Sequence, residues 1–241
     1  MHDDLHSEPE GLTYLDGVTP PIFRGVLTIG EDEEGRRDAI ALAGVIAEWS
    51  EPVATAEAAD LIVVGSAVGA GAGRVLVGEA GRALFDGSRC PVVAAPRGYA
   101  AADDHEIRRV DIGIDGSREA GAALNLAARI ARAHDAKLRV IAIAEPTFDL
   151  GGTLRPVDTA ERQRLSRHLD HAADGLPGIW IETELREGLP DQILLGLARE
   201  AGLLVLGSRA TYGDAGRVTL GGTGERILRA SPAPVLLVPA P

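Results

Sequence analysis

Asp115 in the string GIDGS, Glu145 beside Pro146, and the glycine-rich stretch GSRATYGDAGRVTLGGTGERIL that starts at Gly207 are the residues whose types and spacing point to ligand chemistry. Each follows an apolar run, so all three fall at the carboxyl ends of predicted strands. The glycine-rich stretch then enters a helix whose first turn spans Gly222 to Glu225. Backbone N–H groups at a helix start, with no side chains in the way, form a ready site for phosphate or another anion. Glycine is required where the backbone must approach a ligand or adopt positive φ. With 30 glycines in the chain, the same stretch also reads as a set of tight turns.

Other chemistries are excluded by what is missing. Lys137 is the only lysine among 24 basic residues and is followed by Leu138, so no Walker A loop exists, and lysine-based kinase and penicillin-binding motifs fail likewise. In VGAGAGRVLVGEAG the third glycine of a dinucleotide fingerprint falls on Arg74 or Leu76, so Gly69, Gly71 and Gly73 read as a flexible connection. His168 and His171 lie three apart on a predicted helix near Asp170. Without a third ligand they read as a solvated helix face rather than a metal site. No G-x-S-x-G elbow is present. The single cysteine, Cys90, gives neither a disulfide nor a CxxC pair and fits a small buried role in a reducing cytoplasm. A net charge of −12 argues against nucleic-acid and anionic-lipid partners. No run approaches the ~18 apolar residues of a membrane span, and the start of the chain is acidic, so a soluble, unexported, cytoplasmic protein is expected.

The elements that position these residues occur twice. Phe23 to Glu48 aligns with Ile107 to Arg132 at an offset of 84, each reading as a strand followed by an amphipathic helix. Asp60 to Ser66 (DLIVVGS) aligns with Gly202 to Ser208 (GLLVLGS) at an offset of 142, and Pro91 to Pro96 (PVVAAP) with Pro234 to Pro239 (PVLLVP) at 143. The change of offset, 142 − 84, means that the first copy lacks 58 residues present in the second. In the second copy these hold a strand, Leu138 to Ala144, a helix capped by Asp158, and a strand, Ile179 to Leu185. The first copy has little more than Trp49 to Ala59 in their place. The full copy reads β-α-β-α-β-α-β-α-β, with helices at Arg118 to Ala133, Thr159 to Ala173, Asp191 to Ala201 and Gly224 to Ala230. Runs such as LLVLG and PVLLV suit strands covered on both faces. Strand–helix alternation implies a parallel α/β sheet with right-handed crossovers, and ligands in such sheets bind beyond the carboxyl ends of the strands.

The order of elements, the opening DIGIDGSREAGAALNLAARIARAHDAKLRVIAIAEP and the string GSR…VTLGGTGERILRASPAPVLLVP resemble the universal stress protein family. The resemblance covers the second copy and, in abbreviated form, residues 22 to 97. It implies a Rossmann-like fold of the adenine nucleotide alpha hydrolase type: a parallel five-stranded sheet in the C-terminal domain and a reduced version in the N-terminal one. It also implies binding of ATP or a related adenine nucleotide, with or without Mg, through a loop G-x2-G-x9-G-[ST]. Carried over, Asp115 bonds the ribose or adenine side, Ile143 flanks the adenine, Leu206 and Gly207 begin the phosphate loop, and Gly221 presents backbone N–H groups to the phosphates. The loop departs from the pattern. Ala210 stands where the second glycine belongs, Gly222 stands where Ser or Thr belongs, and Gly207 and Gly221 are 14 positions apart instead of 13. Gly213 and Thr223 are the substitutes at hand, and Arg209 and Gly222 complete the expected set.

In the first copy Gly65 and Gly78 keep the spacing of 13, but Val68 and Glu79 replace the second glycine and the hydroxyl residue. A carboxylate at Glu79 would repel a triphosphate by roughly 1 kcal/mol. The expected organisation is a mobile tail over 1–21, a truncated domain over 22–97, a linker over 98–106 and a full domain over 107–241. The two final strands would pair in a built-in pseudo-dimer, with a homodimer as a further partner state. The expected function is regulatory nucleotide binding in a stress response, and the alternative is a structural or adaptor protein that binds no nucleotide. No residue is assigned a catalytic role, which leaves at most slow ATP hydrolysis. An adenylate-forming ligase of similar fold lacks its signature lysine or paired histidines here.

Overall fold

Two-sided apolar runs fold into strands buried on both faces. A computed structural model describes residues 22–47, 51–148, 154–208 and 217–239; the expected tail over 1–21 and the site candidates Arg209 and Gly213 lie outside them. In chain order the elements are β1 (Gly25–Ile29), α1 (Glu33–Ile46), β2 (Glu51–Pro52), β3 (Leu61–Gly65), α2 (Glu79–Phe85) and β4 (Val92–Ala95). There follow β5 (Arg109–Ile114), α3 (Arg118–Ala133), β6 (Lys137–Ala144), the short antiparallel pair β7 (Thr147–Phe148) and β8 (Leu154–Arg155), and α4 (Thr159–Asp174). The chain closes with β9 (Ile181–Glu187), α5 (Pro190–Leu197), β10 (Leu203–Gly207), α6 (Gly222–Ile227) and β11 (Val235–Val238).

One nine-stranded sheet has the order β2-β1-β3-β4-β11-β10-β5-β6-β9. Its C-terminal five strands are all parallel, as expected. They do not end as a separate sheet, because the antiparallel pairing of β11 with β4 continues them into the N-terminal strands. Those strands are parallel to one another and in the same relative order, with the partner of β9 missing and β2 reduced to two residues. The pairing of β4 with β11 covers the edge that the shorter half would otherwise expose.

Hydrogen bonds across the seam are reciprocal. The Val75 N–H donates to the Ser231 carbonyl at 2.8 Å and the Val218 N–H to the Ser88 carbonyl at 2.7 Å, and both donors and both acceptors are 143 positions apart. Residue i touching j while the counterpart of j touches the counterpart of i is the signature of a two-fold interface. Arg82 on α2 and Glu225 on α6 add an ion pair across it at 2.9 Å.

Alternate strand residues face two cores. Leu61, Val63, Val205 and Leu236 pack beneath α1, α3 and α4. Ile62, Val64, Leu204 and Leu237 pack in a second core with Phe85 of α2, Leu194 of α5 and Ile227 of α6. Ser117 caps α3 by accepting the Ala120 N–H, and Asp158 caps α4 by accepting the Ala160 N–H, which fixes both starts where the local sequence puts them. α5 ends at Leu197 rather than Ala201, because its last turn tightens: the Glu200 N–H donates to the Leu197 carbonyl and the Ala201 N–H to the Ala198 carbonyl. α6 occupies Gly222–Ile227, two residues before its expected start.

Asp111 of β5 and Arg139 of β6 are directly opposite in register and both buried, with side chains 0% and 5% exposed. Arg139 donates to both carboxylate oxygens, its Nε to Oδ1 at 3.0 Å, and its Nη2 also donates to the Leu197 carbonyl at the end of α5. Burial pushes the Asp111 carboxyl above the usual carboxylate range, and Arg139 only partly offsets it.

Candidate functional site

Asp115, Ile143, Leu206 and Gly207 meet at the carboxyl side of three adjacent strands, β6, β5 and β10. Asp115 is exposed, and its Oδ1 accepts the Ser117 N–H at 2.9 Å. A carboxylate has about four acceptor sites, so this bond leaves most of its capacity for a ligand. Gly116 next to it has φ +82°, and a Cβ there would overlap the His168 imidazole. Arg164, one turn before His168 on α4, donates to the Asp115 carbonyl at 3.0 Å. These two α4 side chains hold the Asp115–Gly116 turn, a role their helical spacing gave no hint of. His168 and His171 also line a cavity of about 340 Å³ between α3 and α4 instead of forming a simple solvated face. Among the described residues no cluster of His, Cys, Asp and Glu could hold a metal ion.

Ile143 and Leu206 lie on the α5 side of the sheet, where Leu194 reaches over Gly113, 3.2 Å from the place a Cβ would take. Gly221 is the N-cap of α6 with no side-chain bond to that helix start, Gly222 is exposed and Thr223 follows in the first turn. An apolar wall, a carboxylate and a helix start without a side-chain cap are thus within one half. Gly207 has a further duty. A Cβ there would sit 2.8 Å from the Glu119 carbonyl carbon and 3.0 Å from the Ala120 nitrogen, so this glycine lets β10 approach the first turn of α3.

In the N-terminal half the equivalent place is filled by its own side chains. Glu31, at the offset of 84 from Asp115, lays its carboxylate where a Cβ of Gly78 would go, at the start of α2. Arg97 donates to both oxygens of Asp32 at 2.8 and 2.7 Å, to Glu34 at 2.5 Å and to the Ser66 carbonyl at 3.3 Å. Glu79 begins α2 beside them. Sequence reading catches Glu79 and misses Arg97, and it takes Glu31 to Glu34 as a solvated helix start, although the repeat offset pairs Glu31 with Asp115 and its carboxylate lies against Gly78. The connection over 67–77 is also anchored, not flexible: the Ala70 N–H donates to the Ala67 carbonyl, Gly73 to Arg97 and Val75 to Ser231.

The Arg97 hydrogen bonds, joined by the Gly35 N–H, hold the Asp32 carboxyl below its ordinary value of 3.8. A depressed carboxylate adds stability that is present above its unfolded value and lost as pH falls through the folded one. Arg97→Gln should therefore lower Tm at neutral pH, and the gap to wild type should close in strong acid. A gap that stays constant across this range would show that the ion pair adds nothing.

Among the described residues no helix is long and apolar enough to cross a membrane. The model of the universal stress protein family matches residues 106–239, more than half of the chain. A universal stress protein of Mycolicibacterium smegmatis is 29% identical over 137 residues, covering 53% of this chain and 46% of the relative. One of Mycobacterium bovis is 27% identical over 194 residues, covering 75% of this chain and 64% of the relative. The chain thus spans between about half and two thirds of the length of these curated relatives. A solved universal stress protein structure from Pseudomonas aeruginosa shares the fold, with a TM-score of 0.63, 16% identity, and 90% of this chain and 93% of that one covered. With the family model, the relatives and the α/β fold in agreement, the chain belongs to the universal stress protein family.

Proposed function

We propose that the chain is a tandem universal stress protein with one nucleotide site. The C-terminal half binds ATP or a related adenine nucleotide at Asp115, Ile143, Leu206, Gly207 and the α6 start over Gly221, Gly222 and Thr223, together with Arg209 and Gly213. The N-terminal half is its built-in dimer partner. The observation that carries the reading is the meeting of Asp115, Ile143 and Leu206 at the carboxyl ends of adjacent strands, beside an uncapped helix start. The reciprocal Val75–Ser231 and Val218–Ser88 bonds support the pseudo-dimer. A regulatory role in the cytoplasm follows from the family, and the lone Cys90, whose thiol burial pushes up, suits packing rather than redox chemistry. The bound nucleotide acts as a signal, and no residue is assigned to its hydrolysis.

A second reading, a structural or adaptor protein without nucleotide, is favoured by the α6 start itself. Gly222 follows Gly221 with no hydroxyl, and Arg226 is already paired with Asp191 at 2.7 Å. Thermal unfolding with ATP, ADP and AMP separates the two. A nucleotide at 100 times its Kd stabilises by about 2.7 kcal/mol. The expected shift is lost in Asp115→Ala and kept in Glu79→Ala. No shift at millimolar nucleotide would establish the adaptor reading.

A further inference from the structure

The inequality of the two halves opens a cleft. The glycine-rich connection between β3 and α2 runs beside α5, a helix with no equivalent in the shorter half, where only the 3-10 turn Ala56–Ala58 separates β2 from β3. Gly71, Arg74 and Leu76 of the connection, Leu195 of α5, Arg199 just past its end, and Arg229 beyond the end of α6 line a cavity of about 590 Å³. That volume is in the range of small-molecule sites.

Its charge runs against that of the chain. Several arginines elsewhere, among them Arg97, Arg139, Arg162, Arg186 and Arg226, have carboxylate partners, whereas the cleft lining holds three arginines and no acidic residue. In the cleft, Arg74 has only a carbonyl, that of Ala230 at 3.2 Å. Arg199 has no hydrogen-bond or ion-pair partner among the described residues. Arg229 pairs with Glu225 at 2.8 Å, but Glu225 is shared with Arg82. Three arginines from three segments, two of them without a carboxylate partner among the described residues, line a cavity whose remaining lining is apolar or glycine apart from Gln192.

We propose that this cleft is a second ligand site, which takes a phosphorylated small molecule. The phosphate is held by Arg74, Arg199 and Arg229, whose planar forks match its oxygens in pairs. The remainder of the ligand rests on Leu76 and Leu195. The site is distinct from the one containing Asp115: that one lies at the start of α6, whereas Arg229 lies past its end. Because the ligand is clamped between the glycine connection of one half and α5 of the other, its binding ties the halves together.

Inorganic tripolyphosphate is a suitable probe, since it lacks the adenine and ribose on which the proposed nucleotide site depends. Titration calorimetry on the full chain should give a Kd at or below about 1 mM, weakening as ionic strength rises. Arg199→Gln breaks no contact of the fold, so its unfolding curve should match wild type while its affinity falls by about tenfold or more. Arg199→Glu should abolish binding. Absence of heat at millimolar tripolyphosphate, or an Arg199→Gln variant that binds as tightly as wild type, would overturn the proposal. A tripolyphosphate response kept in Asp115→Ala and lost in Arg199→Glu belongs to the cleft, whereas an ATP shift lost in Asp115→Ala and kept in Arg199→Glu belongs to the nucleotide site, so the failure of either is seen separately.

Discussion

Replacing Arg139 by methionine should destabilise the protein by about 3–5 kcal/mol in urea or guanidinium unfolding, the cost of leaving a buried charge without its partner. Asp111 is fully buried and receives both of its charge-assisted bonds from Arg139. Burial already holds its carboxyl above the usual range against the pull of Arg139. In the variant only the more distant charge of Arg109 opposes burial, which favours folding with Asp111 as the neutral acid. The sign of the pH dependence follows. A carboxyl whose folded pKa is raised contributes stability below its unfolded value and loses it as pH rises through the folded value. The deficit of Arg139→Met should therefore be smallest in acid and grow toward neutrality. If the single variant fails to fold, Asp111→Leu with Arg139→Met still decides the matter, because an apolar pair of similar volume is often neutral or stabilising in place of a buried ion pair. A single variant within about 1 kcal/mol of wild type, or a double variant no better than the single, would show that the pair is not what holds β5 to β6.

Sequence analysis did not single out this ion pair, although unlike the filled N-terminal site it leaves a local trace. Asp111 interrupts one apolar run, RVDIGI, and Arg139 interrupts the next, KLRVIAIA; strands covered on both faces accept opposite charges only as partners. Strand order was legible, because offsets of 84, 142 and 143 fix which segments are equivalent, and equivalent segments take equivalent places in the sheet. The start of α3 was visible because Ser117 is a local cap. What stayed hidden depends on contacts between residues far apart in the chain. Arg97 reaches Asp32 across 65 positions, and the cleft joins Arg74 to Ala230 across 156. Neither pairing leaves a periodic or local trace: the first arises once β3 has joined β4 to β1, and the second only once β4 has docked on β11.

Gly65→Ala should cost at or above the top of the roughly 1–3 kcal/mol typical of overpacking, and more than Gly207→Ala. The two glycines are equivalent in the repeat, each ending a strand against the first turn of the helix that follows the neighbouring strand, α1 after β1 and α3 after β5. At Gly65 the added Cβ would overlap the carbonyl oxygen, carbonyl carbon and Cα of Gly35, so glycine faces glycine and only backbone can give way. At Gly207 the nearest atoms are also backbone, of Glu119 and Ala120, but at 2.8–3.0 Å, which a small shift of α3 relieves. Gly44 in the last turn of α1 is the control: nothing lies within 4 Å of a Cβ there, and alanine should stabilise by up to roughly 0.5 kcal/mol, the low end of the mid-helix value. Chemical denaturation of the three variants should rank Gly44→Ala above wild type, then Gly207→Ala, then Gly65→Ala. A Gly65→Ala protein as stable as wild type would refute the close approach of β3 and α1. The ranking also bears on function. Because Gly207 is needed for packing, loss of nucleotide binding in Gly207→Ala says nothing about a phosphate contact. Gly222 is the better probe, since a Cβ there would meet only the Arg226 Nη1, 3.5 Å away, at the end of a flexible side chain. Weaker nucleotide binding in Gly222→Ala at unchanged stability would locate the phosphates at the α6 start.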